Sequence, residues 1–145
     1  MKLPRRLIVD TALFISYLRG DDLSDRAEMV VDRALAKETL LLVSSEMYDD
    51  LITAYRTGGY KLNELRSILL DLQAIPHEVV PTTLNIAILA MDLYSKYGGS
   101  RRLHYFDAFH VATAAAMDEP LITSDRFILE NSGNLGVKAI DLSNI

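Results

Sequence analysis

The chain has 145 residues, half of them hydrophobic and 24% charged, which suits one soluble domain spanning residues 1–145 with a sizeable core. Fifteen Lys and Arg against twenty Asp and Glu leave a net charge of -5, which argues against a broad basic nucleic-acid-binding face but leaves room for a carboxylate metal site acting on nucleic acid. The absence of cysteine excludes disulfides, thiolate metal sites and a cysteine nucleophile.

The elements alternate. Leu7-Ile8-Val9 reads as a buried strand that delivers Asp10 at its carboxyl end, and Thr11 to Arg19 as a helix closed by Gly20. Leu23 to Lys37 carries Ala27, Val30, Val31, Ala34 and Leu35 at helical spacing. Leu40 to Val43 is a second strand, and Ser44-Ser45 offers an N-cap before a helix running from Glu46 to Thr57. Lys61 to Gln73 is helical, Pro76 to Val80 a third strand, and Thr82 the expected N-cap of a long helix reaching Tyr97. After Gly98-Gly99-Ser100 and Arg101-Arg102 comes the stretch HYFDAFHVATAAAM, from His104 to Met117. Pro120 to Thr123 is the fourth strand, Asp125 to Asn131 a short helix, and Val137 to Leu142 a last strand. No apolar run approaches the roughly 20 residues of a membrane span. The apolar stretch after MKLPRR is short and contains Asp10, so no signal peptide is expected and a cytoplasmic location is. Strands separated throughout by one or two helices predict an α/β fold, a mainly parallel five-stranded sheet with helices on both faces.

Nearly everything from Phe106 to Met117 is apolar or small, yet the run carries Asp107 in its first turn. A buried carboxylate is unfavourable unless it is paired, hydrogen-bonded or bound to a metal. Near a helix N-terminus the macrodipole offers a bland explanation. Asp10 and Asp125 could likewise cap the helices they precede, and Glu46 could be a first-turn acid. Four such acids, three of them just beyond strand carboxyl ends, are harder to explain one at a time. In parallel sheets ligands bind at those ends, where the strand order reverses. Carboxylates gathered there need a counter-charge, and Mg²⁺ or Mn²⁺ suits all-oxygen ligation better than zinc. The three histidines, His77, His104 and His110, show no zinc-type ligand pair. His110, one turn beyond Asp107, is expected to be a core histidine satisfied by a backbone group.

The sequence LIVDTALFI, then SSEMYDDL, YFDAFHVATA and LITSDRFI, resembles the PIN-domain family from Leu7 to Val137. Many members of that family are the ribonuclease toxins of VapBC-type toxin–antitoxin pairs. The resemblance implies a five-stranded parallel sheet between helices and an acidic quartet of Asp10, Glu46, Asp107 and Asp125, with Thr11 and Thr123 as supporting hydroxyls. Ser124 and Asp125 both offer oxygen in the fourth region. Asp49 and Asp50 share the helical face of Glu46, and either could replace it or add a second metal contact.

The implied chemistry is Mg²⁺- or Mn²⁺-dependent hydrolysis of RNA phosphodiesters, with an antitoxin partner and a homodimer. Met29, Val30 and Leu35 on the second helix, with Leu62, Leu65 and Leu69 on the fourth, offer apolar surface for assembly. Arg19, Arg101 and Arg102 are the preferred candidates for RNA phosphate contacts. Tyr48, Tyr55 and Tyr60 could stack on bases, although such aromatics are more often core. A haloacid-dehalogenase-like phosphotransferase also opens on a strand ending in Asp, but it needs a second Asp where this chain has Ala12. The remaining alternatives are a PIN fold that serves only as a binding module, and a PIN nuclease of RNA processing without an antitoxin.

Overall fold

The computed structural model describes residues 2–145. In chain order it contains β1 (Arg6–Val9), α1 (Thr11–Arg19), α2 (Ser24–Leu35), β2 (Leu40–Ser44), α3 (Met47–Thr57), α4 (Leu62–Leu72) and β3 (Glu78–Val80). It continues with α5 (Leu84–Tyr97), α6 (Tyr105–Met117), β4 (Leu121–Thr123), α7 (Arg126–Leu135), β5 (Ala139–Asp141) and a closing 3-10 turn, Leu142–Asn144. The five strands are all parallel, in the order β3-β2-β1-β4-β5. The α/β architecture read from the alternation is therefore present.

The central strands β2, β1 and β4 are covered on both faces, which is why they read as continuous apolar runs rather than alternating ones. Leu7, Val9, Leu41, Val43 and Ile122 face one layer, with Leu13 and Phe14 of α1, Val30 of α2 and Leu51 of α3. Ile8, Leu42 and Leu121 face the other, against Ala90 of α5, Ala108 and Ala112 of α6, and Ile128 of α7. Each fully buried Leu or Ile contributes roughly 1.5–3 kcal/mol. The alanines of α6 bring α5 and the sheet close to its backbone, so Val111 and Ala112 are wholly buried.

Element ends depart from the sequence reading where local chemistry intervenes. The helix expected to start at Thr82 is capped by Thr83, whose Oγ1 accepts from Ile86 N at 3.3 Å. Thr82 is engaged elsewhere, since its backbone N–H and its hydroxyl both meet the Ser45 hydroxyl. α2 stops at Leu35, and Lys37 turns into the left-handed region at φ 61°. α7 runs four residues past Asn131, passing a kink where the Asn131 amide donates to Phe127 O, and ends at left-handed Gly136. Gly98 permits the tight turn after α5, because a Cβ there would lie 2.3 Å from Tyr94 O. Among the described residues no helix is long and apolar enough to cross a membrane.

Candidate metal centre

The chain runs β1 to β2 to β3 in one direction across the sheet, then continues from β1's other side with β4 and β5. The order therefore reverses between β1 and β4, where parallel sheets leave a crevice at their carboxyl ends. Asp10 leaves β1 there and Thr123 ends β4 beside it. The Thr123 hydroxyl donates to Asp10 Oδ2 at 2.6 Å and accepts from Asp125 N at 3.1 Å. Asp125 spends Oδ1 on the N-cap of α7, accepting from Ile128 N at 2.9 Å, which leaves its second oxygen for the crevice.

Two helices complete the site. α6 starts over the crevice and presents Asp107 from its first turn, and α3 presents Asp50. A cleft of about 330 Å³ is lined by Asp10, Thr11, Asp50, Asp107, Ser124 and Asp125, together with Ala12, Ile15, His104, Tyr105 and Phe106. The structure thus brings three of the four expected acids to one cleft. The fourth, Glu46, is the residue before α3 and does not line the cleft; Asp50, one turn further on, does. Asp49 is exposed.

The electrostatics are those of crowded, buried carboxylates. Burial raises the pKa of Asp10, and the Thr123 hydrogen bond only partly opposes it. Asp107 is pushed up to about 7, first by burial and then by the neighbouring charge of Asp10. Asp10 Oδ1 is buried and makes no hydrogen bond, although the Leu13 N–H in the first turn of α1 helps favour the ionised carboxylate. An oxygen of that kind normally costs stability, and a bound cation would remove the cost.

Two of the histidines belong to the site. His104 Nδ1 lies 3.5 Å from Asp107 Oδ2. His110 is fully buried, and its Nε2 lies 3.0 Å from Asp50 Oδ2 and 3.1 Å from Thr11 Oγ1. Its partners are therefore side chains of the site and not the backbone group expected from sequence. Burial works to lower the His110 pKa, but the Asp50 hydrogen bond and the charges of Asp10 and Asp107 outweigh it, and the net shift is upward. Potential ligand atoms of Asp50, Asp107 and His110 lie within 4.8 Å of one another, as do those of His104, Asp107 and Asp125. Asp107 is common to both groups. The signal for the histidines was present in the sequence: His104 and His110 stand three residues before and after Asp107, on one helical face.

The residues considered for RNA contact are dispersed. Arg101 and Arg102 are exposed on the turn that leads into α6, and the Arg102 guanidinium lies 5.9 Å from the Phe127 ring. The Arg19 guanidinium stacks over Tyr55 at 4.8 Å, with Tyr60 edge-on to Tyr55. Tyr55 is buried, and the Tyr48 hydroxyl is bonded to His77 at 2.8 Å. Tyr105, half exposed at the mouth of the cleft, is an aromatic the sequence reading did not single out.

A sequence model of the PIN domain matches residues 7–132. The chain belongs to the PIN domain family. No curated protein matches it in sequence. Among solved structures, this PIN domain resembles VapBC2 from Rickettsia felis bound to a promoter DNA fragment, with TM-score 0.66, 16% identity, and coverage of 94% of this chain and 98% of that one. VapBC-1 from nontypeable Haemophilus influenzae gives TM-score 0.61 and 17% identity over 95% and 98% of the two chains. VapBC-5 from Mycobacterium tuberculosis, a member of the VapBC family of toxin–antitoxin systems, gives 0.60 and 19% over 95% and 99%. At these identities the likeness is one of fold.

Proposed function

We propose that this PIN domain is a divalent-metal-dependent endoribonuclease, the toxin of a type II toxin–antitoxin pair acting in the cytoplasm. The observation that carries the reading is the buried Oδ1 of Asp10, left without a hydrogen bond on a residue that lines one cleft with Asp50, Asp107 and Asp125. That donor set fits Mg²⁺ or Mn²⁺. Asp10, Asp107 and Asp125 would hold the ion, with Asp50 as the fourth carboxylate in the place first assigned to Glu46. The ion supplies an activated water and offsets charge on the phosphate. Thr123 fixes the rotamer of Asp10 and the backbone of Asp125 together, so one hydroxyl sets the spacing of two carboxylates. Ser124 and Tyr105 line the rim where an RNA backbone and an unstacked base would enter. Arg101 and Arg102, exposed on the turn before α6, would meet phosphates outside the cleft.

Two kinds of assembly follow from the same reading. An antitoxin silences the site by placing an arginine or lysine among Asp10, Asp107 and Asp125, where a guanidinium satisfies the carboxylates bidentately. An amphipathic helix of that partner lies in an apolar groove beside α1 and α2. The domain also pairs with a second copy. Val30 and Leu65, counted for that purpose from sequence, are buried within the chain. Met29, Leu35 and Leu62 from the same set stay 39%, 53% and 80% exposed, and a second exposed apolar face is on α5, where Leu84, Ile88 and Met91 are 76%, 52% and 40% exposed at helical spacing.

The test is cleavage of a mixed RNA pool by purified protein with Mn²⁺, Mg²⁺ or EDTA. Asp10→Asn and Asp107→Asn are expected to remove metal-dependent cleavage while the circular dichroism spectrum stays native. Cleavage by Asp107→Asn at the parent rate would sink the assignment.

A further inference from the structure

His110 is the one wholly buried ionisable side chain of the site that the proposed chemistry leaves without a task. It projects from α6 one turn beyond Asp107 and ends on Asp50 Oδ2, 60 residues away in sequence. The same oxygen accepts the Thr11 hydroxyl at 2.5 Å. A carboxylate oxygen only accepts, so the imidazole proton belongs on Nε2. Nδ1 agrees, because it is buried and faces no partner. Asp50 is thus gripped at one oxygen by two donors from different helices, α1 and α6, while no hydrogen bond restrains its Oδ1 among the described residues. Asp10 repeats the pattern, with Thr123 holding Oδ2 and Oδ1 left bare.

We propose that His110 is a positioning residue, whose Nε2–H clamps Asp50 Oδ2 so that the other Asp50 oxygen is turned toward the metal. The proposal rests on the metal-dependent reading of the cleft. Its physical basis is the cost of ordering a ligand. Asp50 reaches the cleft from α3 on a short side chain that is partly exposed, so it loses rotamer freedom when it binds an ion. Donors that fix it beforehand keep that cost out of the binding step, and such supporting contacts are worth roughly ten- to a hundredfold in metal affinity. His110 is suited to the role because packing on all sides fixes its own ring, and a fixed donor holds an acceptor better than a mobile one. It also ties α6 to α3, the two helices that bring acids to a crevice formed by β1 and β4.

The experiment compares His110→Gln with His110→Asn. The Gln amide nitrogen reaches the position of Nε2, while the Asn amide stops near Nδ1 and cannot meet Asp50. A role in filling the core also favours Gln, the larger of the two, but its cost would persist in an Asp50→Asn background, whereas a clamp on Asp50 has nothing left to lose there. Calorimetric titration of the metal-free proteins with Mn²⁺ is expected to leave His110→Gln within about threefold of the parent. His110→Asn is expected to bind at least tenfold more weakly. Asp50→Asn should weaken binding similarly, and adding His110→Asn to it should cost less than threefold more, since His110 acts through Asp50. Electron spin-echo spectra of the Mn²⁺-loaded protein should show the same nitrogen coupling in parent and His110→Gln. Equal affinity of parent and His110→Asn overturns the proposal. Loss of nitrogen coupling in His110→Gln also overturns it, in favour of His110 as a direct ligand. A parent that binds no Mn²⁺ removes the metal reading itself, and is distinguishable from both. Should His110→Asn fail to fold, Thr11→Val against Thr11→Ser tests the other donor of the same clamp with the same readout.

Discussion

Asp107→Asn should stabilise the metal-free protein, and by an amount that grows with pH. In the unfolded chain Asp107 ionises near its ordinary value of 3.8, and in the folded chain near 7. Between those values the folded state keeps a proton that the unfolded state has released. Stability therefore falls as pH rises across that interval, and the contribution is lost once the folded carboxyl ionises above pH 7. The whole gap corresponds to roughly 4 kcal/mol, at about 1.36 kcal/mol per tenfold. Between pH 5 and pH 8 the share in play is roughly 2–3 kcal/mol. The side chain is only 18% exposed, so solvent screening removes little of it. Asparagine has the same shape and no charge at any pH, so the variant escapes the loss.

Parent and variant would be unfolded thermally in EDTA at pH 5 and pH 8 and constant ionic strength. For a chain of this size roughly 2–4 °C accompanies each kcal/mol, so the difference in Tm should widen by about 5–10 °C at the higher pH. A difference that does not change with pH would show that Asp107 is not held in crowded, desolvated surroundings. Saturating Mn²⁺ should then reverse the order, because only the parent gains the binding energy.

Three further outcomes can be checked together. Asp50→Asn should lower metal-dependent cleavage at least tenfold while Glu46→Gln stays within threefold, measured on the same RNA substrate; the reverse order would return Glu46 to the site. Ile88→Glu, half exposed on α5, should shift sedimentation from dimer to monomer at micromolar protein without changing the spectrum, and a parent that is already monomeric would refute the α5 interface. Inhibition by the proposed basic side chain should weaken as Mg²⁺ rises at fixed ionic strength, since cation and guanidinium compete for the same oxygens, and an inhibition insensitive to Mg²⁺ would place the block in the RNA groove.

The parts of this fold that sequence carries well are those set by neighbours along the chain. Leu7-Ile8-Val9 is buried on both faces because it sits mid-sheet, and its shortness and β-branched residues mark such an apolar run as a strand and not a buried helix. The carboxyl-end rule then located Asp10 and Asp125 without any knowledge of strand order. The ends of elements were less legible, because they are decided by contacts across the fold. Thr82 and Thr83 are equivalent as local capping signals, and the choice between them is made by Ser45, 37 residues away. Glu46 and Asp50 pose the same problem on α3: both are acids one turn apart, and local sequence favours neither. His110 was legible as a buried residue and illegible as a partner of Asp50.

What decides between Glu46 and Asp50 is where α3 begins. Glu46 lies outside the helix, with its N–H held by the Ser44 hydroxyl at 3.1 Å, so its side chain leaves from the turn at the end of β2. β2 is one strand removed from the crevice between β1 and β4. A residue at the strand end stays over its own strand, whereas one a turn into the helix is carried sideways by about a helix radius and upward by about 5 Å. Asp50 is that residue, and α1 is the neighbour it is carried against, which is why Thr11 can reach it. The displacement also explains why a short aspartate suffices there. A longer acid at position 50 would lose its fixed contact with Thr11 and His110 or push its oxygens past them. Asp50→Glu therefore tests geometry with charge held constant: the carboxylate remains, and Mn²⁺ affinity should nevertheless fall.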